Sequence, residues 1–393
     1  MVQSAVRGGN GPLRGSLGVA AMWGVLTVLI AACTGGGGPD PGPGSVRLVI
    51  LPADQAAGVE PDKPVTVSAT GGRLTEVVVT NPEGKRVAGE ISPDGRRWTS
   101  TEPLGYGRGY TVRATGTGID GRTATATSSF TTVKPDKQAS VWINPGDNEV
   151  IGIGHPLAFT FDTPVTDKAA AERAIRIETV PTVEGAFHWF NDKELRWRPR
   201  EFWKPGTKIT ISADVYGRNL GGGVFGQSDV RATATVGDAV VAHADGATHQ
   251  MTVEVNGREV RTIPISLGRP AFPSNNGIHV VSDKGENVVM DSMTFGLAYS
   301  AGGYRTTVQW ATRISNGGEY VHAAPWSVGE QGYSNVSHGC INMSTEAARW
   351  FFGLAKPGDV VIITNSGGPE LQPWDGWGDW QMPWEQWIRG GDR

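Results

Sequence analysis

A single thiol, Cys340, sits in the run Ser337-His338-Gly339-Cys340-Ile341-Asn342, eighteen positions after His322 in the run His322-Ala323-Ala324-Pro325-Trp326. A thiol attacks a carbonyl carbon efficiently only when a neighbouring group takes its proton or favours its thiolate. Histidine is suited to this because its free pKa lies near neutrality. Here two histidines, His322 and His338, are candidates to reach the sulfur. These residue types at this spacing point to acyl transfer through a cysteine. The plainer alternatives are a buried, inert Cys340 and a His322 satisfied by the backbone.

Cysteine usage supports the catalytic reading. The chain has only two cysteines, Cys33 and Cys340. Exported proteins normally pair their thiols. The N-terminus reads as an export signal: Arg7 and Arg14 precede an apolar stretch from Leu17 to Ile30, too short for a comfortable membrane span. The stretch ends Leu29-Ile30-Ala31-Ala32-Cys33, which resembles a bacterial lipobox with Cys33 as the lipidated residue. The alternative is a plain secretory signal over residues 1–33. With Cys33 lipidated, Cys340 stands alone and needs a reason to exist. Localisation follows as an expectation: exported, and held at the cell membrane facing the periplasm or cell wall.

Net charge is −4, and no basic cluster stands out, so nucleic acid is not an expected partner. His338 and Cys340 are too close in sequence for a structural zinc site, so no metal is expected. No glycine-rich phosphate loop lies between a strand and a helix, so no nucleotide cofactor is expected.

The elements that must position the site read as mainly β. Gly (56) and Pro (25) are abundant among 393 residues and long helical patterns are scarce. After the Gly/Pro tether 34–44, an internal repeat appears. Arg97-Trp98, Gly107 and Thr111-Val112 recur as Arg196-Trp197, Gly206 and Thr210-Ile211, all at an offset of 99. Short alternating strands in units of about 100 residues fit two immunoglobulin-like sandwiches, placed at 45–134 and 135–237. A short helix is expected within Thr166 to Ile177. The third domain, 238–366, has a hairpin around Asn256-Gly257 and a helix from Ser344 to Leu354 capped by Ser344. The tail, 367–393, carries Trp374, Trp377, Trp380, Trp384 and Trp387. Packing of these rings onto the protein, joining the third domain to the sandwich before it, is preferred over a glycan-binding platform. His155 and His188 are expected to be structural, and His249 and His279 are given no role.

The pattern of His322 followed by Ser-His-Gly-Cys-Ile-Asn at 337–342 resembles the L,D-transpeptidase (YkuD-like) catalytic domain. Two sandwiches before it, and Asp379-Trp380-Gln381-Met382-Pro383-Trp384-Glu385-Gln386-Trp387 after it, resemble the actinobacterial type. The resemblance covers roughly residues 45–393. It implies an acyltransferase that joins peptidoglycan stem peptides by 3→3 cross-links, with a tetrapeptide donor, release of D-Ala, and no cofactor. It implies Cys340 as nucleophile and His322 as base, oriented by the backbone carbonyl of Ala323. The amides of Gly339 and Cys340 would form an oxyanion hole. Ser337, His338 and Asn342 would hold the loop and substrate, and Tyr304 and Trp326 would wall the pocket. Met290 to Tyr304 matches the family's flap, whose closure would shield a thioester from water. Phe295 stands where a Tyr is usual, so a hydroxyl role there is lost. Family members are commonly acylated by carbapenems. Two alternatives stay open: an L,D-carboxypeptidase using the same residues with water as acceptor, and a non-catalytic envelope-binding lipoprotein.

Overall fold

The computed structural model describes residues 44–391. Cys33, the signal-like segment and the tether up to residue 43 lie outside the described residues, as does the side chain of Phe295. The described chain is mainly β, as expected.

The first sandwich pairs a sheet of Arg47–Leu51, Thr66–Thr70, Arg97–Ser100 and Gly89–Ile91 with one of Gly72–Thr80, Gly109–Gly118 and Thr123–Thr131. Val65, Val67, Trp98, Val112 and Phe130 fill the space between. In the second, Glu149–Ile151, Val230–Val236, Lys208–Ala213 and Ile175–Val180 face Gly185–Asn191, Glu194–Pro199, Leu157–Phe161 and Val141–Asn144. The expected helix is Lys168–Ala174, with the Asp167 carboxylate accepting from the Ala170 N–H.

The repeat has a physical meaning. Trp98 and Trp197 are both buried core rings. Each lies against a glycine of the neighbouring strand, Gly89 and Gly185, where an added Cβ would come within 2.1 Å and 1.9 Å of the indole. A tryptophan covering a cross-strand glycine is one solution to packing a sandwich, used twice here.

The third region holds two sheets. One runs Arg258–Pro264, Gln250–Val255, Val240–Asp245, Val360–Thr364, Gly277–Val280. The other runs Asp283–Asp291, Arg305–Arg313, Tyr320–Ala323, Ile341–Met343. The first hairpin turns at Asn256-Gly257, both at positive φ (54° and 75°), as expected of that dipeptide. The helix Thr345–Leu354 starts at Ser344, whose Oγ accepts from the Ala347 N–H. Its Ala347, Ala348 and Phe351 join a core shared by both sheets.

The tail folds back onto the second sandwich. Arg196 donates to the Asp379 carboxylate (3.0 and 3.1 Å) and to the Gly376 carbonyl (2.9 Å), and pairs with Glu194. Burial works against this guanidinium's charge, but Asp379 and Glu194 outweigh it and hold its pKa above the ordinary value. Arg198 lies under the rings of Trp380 and Trp387 at 4.7 and 4.6 Å. Trp387 donates to the Ala186 carbonyl and stacks on His188, while Trp377 packs on His155. Trp374 departs from the expectation and is 65% exposed. Arg196→Ala would strand the fully buried Asp379 without its cation. We expect a loss of about 3–5 kcal/mol, read by denaturant unfolding of the full chain followed through the fluorescence of the tail tryptophans.

Candidate active site

The site begins with strand parity. Tyr320–Ala323 and Ile341–Met343 run parallel, with Val321 opposite Ile341, His322 opposite Asn342 and Ala323 opposite Met343. Successive side chains on a strand point to opposite faces. Val321, Ala323, Ile341 and Met343 go into the main core. His322 and Asn342, and Cys340 one step before its strand, are therefore turned to the other face. There they line one cavity of about 360 Å³ together with Met290, Tyr304, Trp326, Ser337 and His338. Of the expected site residues, Gly339 and Ala323 do not line this cavity, Ala323 pointing into the main core, and the side chain of Phe295 is not described. Trp326 stands at the rim, 60% exposed.

The loop before Cys340 is held from three sides. Gly339 has φ +119°, a conformation that strains any L side chain. Its carbonyl accepts from Ser274 Oγ (2.7 Å), and Ser337 Oγ donates to the Cys340 carbonyl (2.7 Å). The Gly339 N–H donates to Ser337 Oγ at 3.1 Å. The Gly339 amide, one of the two donors expected of an oxyanion hole, is thus engaged within its own loop, where the Ser337 hydroxyl braces the turn.

Cys340 is buried and donates toward the Gly318 carbonyl at 3.6 Å. Burial pushes its thiol up to about 12; a hydrogen bond from the Tyr320 N–H pulls the other way, and the Glu319 charge adds to the rise. His322 is also buried, and its Nδ1 is 2.9 Å from the Ala323 carbonyl. A carbonyl only accepts, so Nδ1 carries the hydrogen and Nε2 keeps the lone pair. Burial pulls this imidazole down to about 4, with the Ala323 carbonyl opposing the shift. The resting pair is a neutral thiol and a neutral imidazole. The sulfur must lose its proton as it attacks.

His338 has a different task. Arg269 donates to its Nε2 at 2.7 Å. Burial first, then the Arg269 charge, lowers its pKa, against a hydrogen bond with the Gly302 backbone. Its ring stacks on Phe272 and tilts against Tyr304, both at 4.9 Å. His338 thus clips the flap segment, residues 290–304, to the cysteine loop. Asn342 Nδ2 donates to Ser327 Oγ (3.1 Å) and holds the turn that carries Trp326. Met290 is buried beside Cys340 and Val308. Burial raises the Tyr304 hydroxyl above its usual range.

Sequence reasoning missed Arg269, Phe272 and Glu319. The first two come from a loop that tertiary packing brings alongside: Ser337 N–H donates to Leu267 O and Arg269 N–H to Ser337 O. Glu319 carried a signal, as a charge three residues before His322 and directly ahead of the strand Tyr320–Ala323. It is buried and bonded to His279, the histidine given no role.

Residues 56–219 match the bacterial Ig domain family, and residues 239–363 match the L,D-transpeptidase catalytic domain. L,D-transpeptidase 2 of Mycobacterium tuberculosis is 45% identical over 381 residues, covering 93% of each chain. L,D-transpeptidase 5 of the same species is 37% identical, covering 96% of this chain and 85% of the relative. An L,D-transpeptidase solved in complex with imipenem is 38% identical and superposes with a TM-score of 0.50, covering 57% of this chain and 97% of that one. This chain, with its Ig-like region and YkuD catalytic domain, belongs to the L,D-transpeptidase family and is a transferase.

Proposed function

We propose that this protein makes 3→3 cross-links in peptidoglycan through an acyl-enzyme on Cys340. One observation carries the reading: a buried thiol and a buried imidazole with its Nε2 lone pair available face the same cavity. In the first half-reaction, His322 Nε2 takes the thiol proton as sulfur attacks the carbonyl of the third stem residue. The carbonyl–nitrogen bond to the terminal D-Ala breaks, and the proton passes from His322 to the departing amine. In the second, a side-chain amine of another stem attacks the thioester, His322 takes its proton, and the sulfur leaves and is reprotonated. The Cys340 amide is the remaining backbone donor for the oxyanion, and the clipped flap keeps water from the thioester. Lipidation at Cys33 would hold the enzyme at the outer face of the cell membrane, with the sandwiches as a stalk.

Mass spectrometry of products from a defined disaccharide-tetrapeptide tests the reading. Dimer with loss of D-Ala is expected. Tripeptide alone would make the protein an L,D-carboxypeptidase, and unchanged substrate would leave only an envelope-binding role.

The cavity's charge bears on what it takes. Glu330 is the one carboxylate lining it among the described residues, and no Lys or Arg lines it. Such a wall favours an ammonium of the stem peptide. Glu330→Gln is expected to raise KM for the tetrapeptide by roughly three- to tenfold. Acylation by faropenem, which lacks a basic group, should be unchanged. Equal effects on both would remove charge recognition as the cause.

A further inference from the structure

We propose that Glu319 is a positioning residue for the nucleophile, its carboxylate locking the two peptide groups that cradle the Cys340 sulfur. The inference rests on Cys340 being the nucleophile, as proposed above.

The sulfur has two backbone partners, the Gly318 carbonyl at 3.6 Å and the Tyr320 N–H. Those groups belong to the two peptide planes that meet at the Glu319 Cα. Where Glu319 sits therefore sets both contacts at once. One partner suits the thiol, since a carbonyl accepts its hydrogen. The other suits the thiolate that forms during attack, since an N–H donates to it. The cradle serves both ends of the proton transfer only while both planes stay in place.

The local chain does not fix them by itself. Gly317 and Gly318 precede Glu319, and Gly318 has φ +96°, so this turn has little stiffness of its own. The Glu319 side chain supplies the lock from behind. Its Oε1 accepts from the Asn275 N–H at 2.7 Å, and its Oε2 lies 3.1 Å from His279 Nε2. His279 is in turn held by the Gly277 carbonyl at 3.2 Å from Nδ1. The Glu319 backbone is tied as well, its N–H to Ser315 Oγ (3.1 Å) and its carbonyl to the Ile314 N–H (3.0 Å). Asp375 secures the outer end of the same turn through the Gly317 N–H at 2.9 Å.

A carboxylate is a costly choice at a site only 5% exposed. Its charge also disfavours the thiolate next to it. Its charge therefore does not serve to raise thiol acidity, and hydrogen bonds to the carboxylate that hold backbone geometry are what remain.

The test is the rate of imipenem adduct formation on the full chain, followed by intact mass, for wild type, Glu319→Ala and Glu319→Gln. Glu319→Ala should acylate roughly ten- to a hundredfold more slowly, the penalty for a nucleophile misplaced by about 1 Å. Glu319→Gln should return to within about threefold of wild type, because its amide oxygen accepts from Asn275 and its NH₂ donates to His279. A general loss of folding would not be repaired in this way. Should Glu319→Ala fail to fold, Glu319→Asp replaces it: the charge stays and the reach shortens, and slow acylation is again expected. Wild-type rates in Glu319→Ala or Glu319→Asp overturn the proposal, as does a folded Glu319→Gln as slow as the truncated variants. Absence of any adduct on wild type would instead remove the nucleophile assignment beneath it.

Discussion

Cys340→Ala is expected to abolish covalent capture of imipenem, while the wild-type chain gains one adduct, recovered on the peptide that contains Cys340. A relative in this family has been solved in complex with that drug, and the cavity here holds one thiol. The loss should be on the order of 10⁴-fold or more in acylation rate, as for removal of other enzymic nucleophiles. The substitution deletes one sulfur atom from a small cluster of Met290, Val308 and Ala311. The melting temperature should therefore move by only a few degrees, and chemistry is separated from folding in a single pair of samples. Cys340→Ser sharpens the result. It keeps a donor toward the Gly318 carbonyl, but its hydroxyl is a far poorer nucleophile at the same pH, so it too should fail. An adduct on wild type at Cys33, or one surviving in Cys340→Ala, would end the assignment.

What could be read in advance follows from how local each interaction is. The Ser344 cap, the Asn256-Gly257 turn and the short helix Lys168–Ala174 are decided by residues within four positions of one another, and all three formed where expected. The parity that turns His322 and Asn342 to one face is also a property of short strands, but those two strands were not anticipated from the sequence. The offset of 99 was legible because Trp98 and Trp197 must each find a glycine across the sheet. Contacts across long sequence separations were not legible in detail. Arg196 and Arg198 meet tail partners 180 or more positions away, and nothing near either residue announces them. His338 is a clip because Arg269 and Phe272 arrive from another loop. The family pattern alone could not reveal that Ser337 takes up the Gly339 amide, which depends on the hydroxyl's rotamer.

His322→Ala should slow acylation by about 10²–10⁴-fold, the usual worth of a positioned general base. His338→Ala should cost much less, roughly tenfold, since it releases the flap without removing the group that takes the proton. The pH dependence gives the sharper result. An imidazole of ordinary acidity would lose half its base form near pH 6.5. Burial has pulled His322 to about 4 and pushed Cys340 to about 12, so the reactive neutral pair persists between those limits. The second-order acylation constant, which reports the free enzyme, should be flat from pH 8 down to pH 5. The sign for stability runs the same way for two of the buried histidines, His155 and His322. His155 is also pulled down to about 4 by burial, so His155 and His322 each bind a proton more readily in the unfolded chain. Acid then favours unfolding progressively from about pH 6.5 toward 4, and the lowest points need a fold check by circular dichroism. A descending limb centred near pH 6.5 in folded wild type, or equal losses in His322→Ala and His338→Ala, would mean that the proton leaves the sulfur by another route.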